Sequence, residues 1–197
     1  LRKQASNDAM GIASSYQATC FPTASLAACS FDPQLLYEMG QALANEAIEQ
    51  NVSMILGPGI NMKRSPLCGR NFEYFSEDPL LAGSLGKAYI EGVQSLNVGT
   101  CLKHYFGNNQ EKHRMTIDAI IDKRSMYEIY LKAFDIAIQA KPWAIMTSYN
   151  KVNGSYVAES KWYMTAIARN RFGFKGAFIT DWGAMNNRVA SIKAGLS

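Results

Sequence analysis

The sequence predicts an α/β fold built from parallel strand–helix units. Short apolar runs alternate with stretches whose apolar residues recur at helical spacing. The runs are continuous rather than alternating, as expected of strands covered on both faces. Polar, aromatic and glycine residues collect directly after each run, where the site of a parallel α/β architecture lies.

Taken in order, Asp32-Pro33 is an N-cap followed by proline in the first helical turn. With Leu36, Met39, Leu43 and Ala47 behind it, the pair predicts a helix. "SMIL" at 53–56 is a buried strand that Gly57-Pro58-Gly59 cannot continue. A second pair, Asp78-Pro79, opens a helix through Leu81, Leu85, Ala88 and Tyr89, and Gly99 introduces the strand-like "TCL". Tyr127, Tyr130, Leu131, Phe134, Ala137 and Ile138 form one helical stripe, with Met126 also on its core side. Pro142 stops that helix and the strand "WAIM" follows. A weaker helix near 160–171, a turn at Phe172-Gly173-Phe174 and the strand "AFIT" complete the series. No repeat, low-complexity tract or linker interrupts it, so a single domain is expected.

Composition narrows the function classes. At 197 residues, 48% hydrophobic and 18% charged, the chain can bury a sizeable core. Its formal charge of +4 is scattered rather than gathered into a stripe, which argues against a nucleic-acid partner. No apolar run approaches the roughly 20 residues of a membrane span, and "LRKQASNDAM" lacks the apolar core of a signal peptide. The chain does not begin with Met, which leaves room for a natural start removed from it. Cys20, Cys29, Cys68 and Cys101 are widely spaced, which predicts free thiols in a reducing, cytoplasmic compartment. With only His104 and His113 available, no metal site is expected, and no cofactor either. Walker and GxGxxG sequences are absent, and the proline of "GPG" removes an amide that an anion cradle would use.

The loops after the strands bring Arg70, Glu73, Lys103, His104, Asn108, Asn109, Glu111, Tyr149, Asn150, Asp181 and Trp182 to one rim. Sugars call for this mixture, because each hydroxyl both donates and accepts while the ring's CH faces stack on indoles and phenols. The residues alone also admit plainer roles. Asp181 fits a helix N-cap as well as a catalytic carboxylate. His104 fits a satisfied core histidine, Lys103 a solvated strand-end charge, and Arg70 an ion pair with Glu73 or Asp78. Trp182 and Tyr149 fit simple packing. Glu73, Asn108, Asn109 and Glu111 fit braces that satisfy buried loop groups.

Four stretches in order, "GPGINMKRSPLCGRNFEYFSEDPLLAG", "KHYFGNNQE", "SYNKVNGSY" and "FKGAFITDWGA", resemble successive signatures of the glycoside hydrolase family 3 β-glucosidases. The resemblance covers essentially the whole chain. It implies a (β/α)8, TIM-like barrel that is incomplete over residues 1–197, with a second α/β sandwich domain downstream. It also implies hydrolysis of β-D-glucosides with retention of configuration. Residue by residue it makes Asp181 the nucleophile and Arg70, Lys103 and His104 ligands of the sugar in the cleavage subsite. Tyr149 and Met146 join the substrate-binding positions, and Trp182 is a wall for the leaving sugar. The three basic residues would also stabilise the charge of Asp181.

Thr180 departs from the serine common before the nucleophile. "LRKQ" looks like the continuation of a family motif whose sugar-binding Asp would precede Leu1, and "SIKAGLS" like a segment the family continues. The general acid/base glutamate is expected downstream, and Glu73, Glu111 and Glu159 have no motif behind them. The partners implied are a β-glucoside and the remainder of the enzyme, or another chain covering the incomplete barrel; the fragment alone should be nearly inactive. Rival readings are a β-xylosidase, an N-acetylglucosaminidase, whose Lys-His-x-x-Gly-His loop "KHYFGNNQE" does not match, or a noncatalytic sugar-binding remnant.

Overall fold

The computed structural model describes residues 2–7 and 13–197; Leu1, where the family motif was read to continue, lies outside them. The chain opens with an antiparallel hairpin, β1 (Arg2–Asn7) and β2 (Ala13–Ala18). Helix α1 (Ala24–Ala28) and helix α2 (Pro33–Glu49) follow, then strand β3 (Met54–Ile55), helix α3 (Pro79–Gln94) and strand β4 (Gly99–Tyr105). Beyond them come β5 (Asp118–Ala119), α4 (Lys123–Ser125), α5 (Lys132–Ile138), β6 (Ala144–Thr147), β7 (Lys151–Val152), β8 (Ser155–Tyr156), β9 (Ala177–Thr180) and α6 (Arg188–Ala194).

Both Asp-Pro signals act as read. Asp32 accepts from the amides of Gln34 and Leu35, Asp78 accepts from that of Leu81, and each proline sits where its missing N–H costs nothing. Helices α2 and α3 then cross closely, because a Cβ on Gly92 would lie 2.1 Å from the Tyr37 carbonyl oxygen and one on Gly40 2.7 Å from that of Tyr89.

The four principal strands form one parallel sheet in the order β3-β4-β6-β9, with a helical crossover between each successive pair. The alternation predicts these parallel βα units, and the sheet is part of a (β/α) barrel, as the family resemblance implies. Leu102, Tyr105, Ile145 and Phe178 point to the helices and join Leu85, Ile90, Phe134 and Ile167 in the main core. The opposite face carries Met54, Cys101, Ala144, Met146, Ala177 and Ile179. Register puts Cys101, Ala144 and Ala177 in one row and Met146 and Ile179 in the next row towards the carboxyl ends. Burial pushes the Cys101 thiol up to about 12, so it acts there as a small apolar filler. All four cysteines are free, and no described helix is long and apolar enough to cross a membrane.

Two helices differ from their reading. The stripe 127–138 is not one α-helix: Met126–Tyr130 is π-helical, closed by the Leu131 amide on the Met126 carbonyl at 2.8 Å, and the α-form resumes at Lys132. The wider turn lets Met126, Leu131 and Phe134 all face the core. The weak stripe near 160–171 is π-helical over Trp162–Arg171. Unread were the hairpin β1-β2, helices α1 and α6, and the small sheet β5-β7-β8, whose two-residue strands are too short to show a period.

Candidate active site

The rim is built from four loops, each released by the end of a parallel strand. The loop after β3 begins with the cis Gly57-Pro58 peptide and carries Asn61, Arg70, Glu73 and Tyr74. The end of β4, whose Lys103-His104 and Tyr105-Phe106 peptides are also cis, presents Lys103 and His104, and its loop carries Glu111 and Arg114. Tyr149 follows β6 and Asp181 follows β9.

Asp181 is not a helix cap. One carboxylate oxygen, Oδ1, accepts from the adjacent Trp182 amide at 2.8 Å, and Gly183 at φ +72 turns the chain away. The next helix starts at Arg188 and is capped by Asn187. The other oxygen, Oδ2, is buried without a hydrogen-bond partner. It lies 3.4 Å from His104 Nε2 and 3.9 Å from Arg70 Nη1. An ionised carboxylate that is 6% exposed needs such compensation.

Arg70 organises the cluster. Its Nε donates to Glu73 Oε1 at 2.5 Å, its Nη2 to His104 Nε2 at 2.7 Å, and Nη1 reaches Glu111 at 4.0 Å. Its pairing with Glu73 was foreseen as a structural alternative, and the structure adds contacts to His104 and Asp181 on the same guanidinium. Lys103 is not a free strand-end charge either, since Nζ lies 3.3 Å from Glu73 Oε2. His104 is 1% exposed, and burial first, then the charges of Arg70, Lys103 and Arg114, hold its pKa well below 6.5. The imidazole is therefore neutral at physiological pH.

Tyr149 is 5% exposed, with the Arg114 guanidinium stacked 4.5 Å above its ring. Burial, then the Asp181 charge, then a hydrogen bond to that carboxylate raise its phenol pKa. Thus Arg70, Lys103, His104, Tyr149 and Asp181 converge. Met146 lies one row beneath, as buried floor. Trp182 is 72% exposed, its indole at the outer edge rather than inside the cluster.

Among the braces, Asn108 donates to the Tyr74 hydroxyl at 3.4 Å and Asn109 to the Met62 carbonyl at 2.5 Å. Glu73 lies between Arg70 and Lys103, and Glu111 between Arg70 and Arg114. Glu159 accepts from the amides of Asn186 and Asn187, tying down the loop behind Asp181. Each glutamate thus has an acceptor role, although Glu111 Oε1 is left without a hydrogen-bond partner.

Sequence reasoning passed over Asn61, Tyr74 and Arg114. Arg114 lies in "EKHRM" just past a quoted motif, and an Arg three residues after Glu111 was the available signal. Asn61 sits inside an apolar-looking "GINM" and carries no signal of its own.

Comparison with known proteins gives a consistent picture. The family model described as the glycosyl hydrolase family 3 N-terminal domain matches residues 5–194. "Thermostable beta-glucosidase B" of Acetivibrio thermocellus is 50% identical over 100% of this chain and 26% of its own length. "Exo-alpha-(1->6)-L-arabinopyranosidase" of Bifidobacterium breve is 50% identical over 93% of the chain and 24% of its own. Among solved structures, beta-glucosidase 3B from Thermotoga neapolitana in complex with α-D-glucose superposes with a TM-score of 0.90 at 43% identity, covering 92% of this chain and 26% of that one. The chain therefore spans about a quarter of the length of the curated relatives it matches.

Proposed function

The chain belongs to glycosyl hydrolase family 3, and from that premise we propose that the protein carrying it is a retaining β-glucosidase. It removes terminal β-D-glucosyl residues by double displacement, with Asp181 as the nucleophile. The observation that carries the reading is Asp181 Oδ2, a buried carboxylate oxygen without a hydrogen-bond partner beside the His104 imidazole and the Arg70 guanidinium. A nucleophile needs an ionised oxygen with a lone pair free to attack the anomeric carbon. Arg70 and Lys103 supply donors for sugar hydroxyls, Tyr149 lies beside the nucleophile, Met146 forms the floor and Trp182 walls the leaving sugar.

Retention requires a second, protonated carboxyl roughly 5 to 5.5 Å from the first. Glu73, Glu111 and Glu159 already take part in ion pairs or backbone bonds, with Glu111 Oε1 alone left without a hydrogen-bond partner, and no family motif stands behind any of them. On the family resemblance we assign the acid/base to a glutamate in a second domain or a distant downstream loop, and the fragment alone should turn over very slowly.

Incubating the full-length protein with a 2-deoxy-2-fluoro-glucoside and mapping the label by peptide mass tests the nucleophile. The label should sit on Asp181; any other position sinks the assignment. The sugar itself has a second reading, because a relative named as an arabinopyranosidase is 50% identical as well. Comparing aryl β-D-glucoside with aryl α-L-arabinopyranoside decides between them by the larger kcat/KM.

A further inference from the structure

Asn61 is 2% exposed, follows β3 and touches three atoms of His104. Its Oδ1 accepts from the His104 backbone amide at 2.8 Å, and its Nδ2 donates to the His104 carbonyl at 2.9 Å. An amide can only donate and a carbonyl can only accept, so these two contacts fix which way the carboxamide points. The oxygen so fixed also lies 3.3 Å from His104 Nδ1. At the other ring nitrogen, Arg70 Nη2 stands 2.7 Å from Nε2, and a guanidinium has no acceptor. The Tyr74 hydroxyl stands 3.2 Å from Nδ1 and can donate or accept. Arg70 requires a lone pair on Nε2, so the neutral ring carries its hydrogen on Nδ1, where the Asn61 oxygen and the Tyr74 hydroxyl both lie.

We propose that Asn61 is a positioning residue for catalysis: it holds His104 as the Nδ1–H tautomer, so that Nε2 receives Arg70 and gives no hydrogen bond to Asp181 Oδ2. The inference rests on the reading of Asp181 as nucleophile. In the other tautomer an Nε2–H would point at Oδ2, 3.4 Å away, and draw off the electron density that has to attack. The Nδ1–H form leaves Nε2 no proton to give to Oδ2 and still lets it anchor the arginine. The charged and titratable groups facing the ring are Arg70 and Tyr74 from the loop after β3, Lys103 from β4, Arg114 from the loop after β4, and Asp181 after β9. The three cations oppose an imidazolium, and Asp181 favours one.

The test uses the full-length protein carrying nitrogen-labelled histidine, with the His104 signals assigned by their loss in His104→Gln. Nitrogen NMR should show Nδ1 protonated and Nε2 bare throughout the interval from about pH 5 to about pH 8 in which an ordinary histidine titrates. An Nε2-bound proton, or an imidazolium forming within that interval, overturns the proposal. Two variants give the kinetic readout. Asn61→Leu in a Tyr74→Phe background removes both acceptors at Nδ1 and should show the Nε2–H signature, with labelling of Asp181 by the fluoroglucoside slowed roughly 10- to 100-fold relative to Tyr74→Phe alone. Asn61→Asp in the same background keeps an acceptor at Nδ1 and should recover most of that rate at neutral pH. Its added carboxylate favours the imidazolium, so the acid limb of kcat/KM should move to higher pH than in Tyr74→Phe alone. Equal losses in both variants, with the wild-type tautomer and pH profile intact, would mean that Asn61 only braces the loop, and the proposal fails. Should Asn61→Leu not fold, the wild-type tautomer still decides. A label found on a residue other than Asp181 defeats the nucleophile reading and leaves the tautomer measurement standing.

Discussion

On the outward face of the sheet, Tyr105 sets its ring edge-on to Phe134 at 5.2 Å and lends its hydroxyl to the Tyr163 carbonyl at 2.9 Å. At the carboxyl ends of the same strands, Asp181 is nearly as dry, yet its Oδ2 has no hydrogen-bond partner and faces the His104 ring at 3.4 Å and the Arg70 guanidinium at 3.9 Å. The contrast is general. Among the described residues, the buried side-chain oxygens without a hydrogen-bond partner belong to Asn71, Asn108, Glu111, Thr147, Asn150 and Asp181, all at the end of a parallel strand or in the loop that follows it. Buried polar atoms are normally paired, so one zone is built to be stable and the other holds acceptors ready for something that brings donors. A polyol is such a partner.

The strongest way to break this comparison is to neutralise the rim. Asp181→Asn keeps the shape and removes the charge, so kcat should fall about 10⁴-fold or more in the full-length protein. Folding stability should hold or rise, because an incompletely paired buried charge is removed with it. Activity is read with an aryl glucoside and stability by urea unfolding. A variant that loses more than about 2 kcal/mol of stability would show that Asp181 holds the fold together, and the contrast between zones would collapse.

The reciprocal change lies in the outward core. Phe134→Ala removes a ring that is 1% exposed and packed on Tyr105, and should cost about 3 to 5 kcal/mol. Turnover per folded molecule should stay within a few-fold of the wild type, because α5 contributes nothing to the rim. If kcat dropped with the same severity as in Asp181→Asn, packing and chemistry would not be separable across the sheet.

These two zones were not equally legible in the sequence. The sheet could be read because its strands are continuous apolar runs and its helices α2 and α3 open with Asp-Pro, signals that reside in neighbouring residues. The π-helical turns were missed because an i→i+5 bond shifts a stripe by one residue without changing its composition. At the rim, Arg70, Lys103, His104, Tyr149 and Asp181 stood out as chemistry-bearing residues directly after strands. What the sequence withheld was their pairing. Nothing local tells that Glu73 lies between Arg70 and Lys103, or that Asn61 in the loop after β3 faces His104 on β4, 43 positions away. For Trp182 the sequence showed its place beside Asp181 but no sign that the indole is largely exposed.

The smallest expected effect joins the two zones, because His104 is buried like a core residue and surrounded like a rim residue. Its folded pKa is depressed, by burial first and then by Arg70, Lys103 and Arg114, below the ordinary 6.5. As the pH falls below about 6.5 the unfolded chain takes up a proton there while the folded chain does not, so acid favours unfolding. The stability linked to His104 is thus complete above that value and is lost as the pH drops towards the folded pKa, with a slope of at most about 1.4 kcal/mol per pH unit. Thermal midpoints measured from neutral pH down to about pH 5 should fall more steeply in the wild type than in His104→Gln, which cannot take up that proton. An identical slope in both would mean that His104 is protonated in the folded state, and a cation could not accept the hydrogen bond that Arg70 directs at its Nε2.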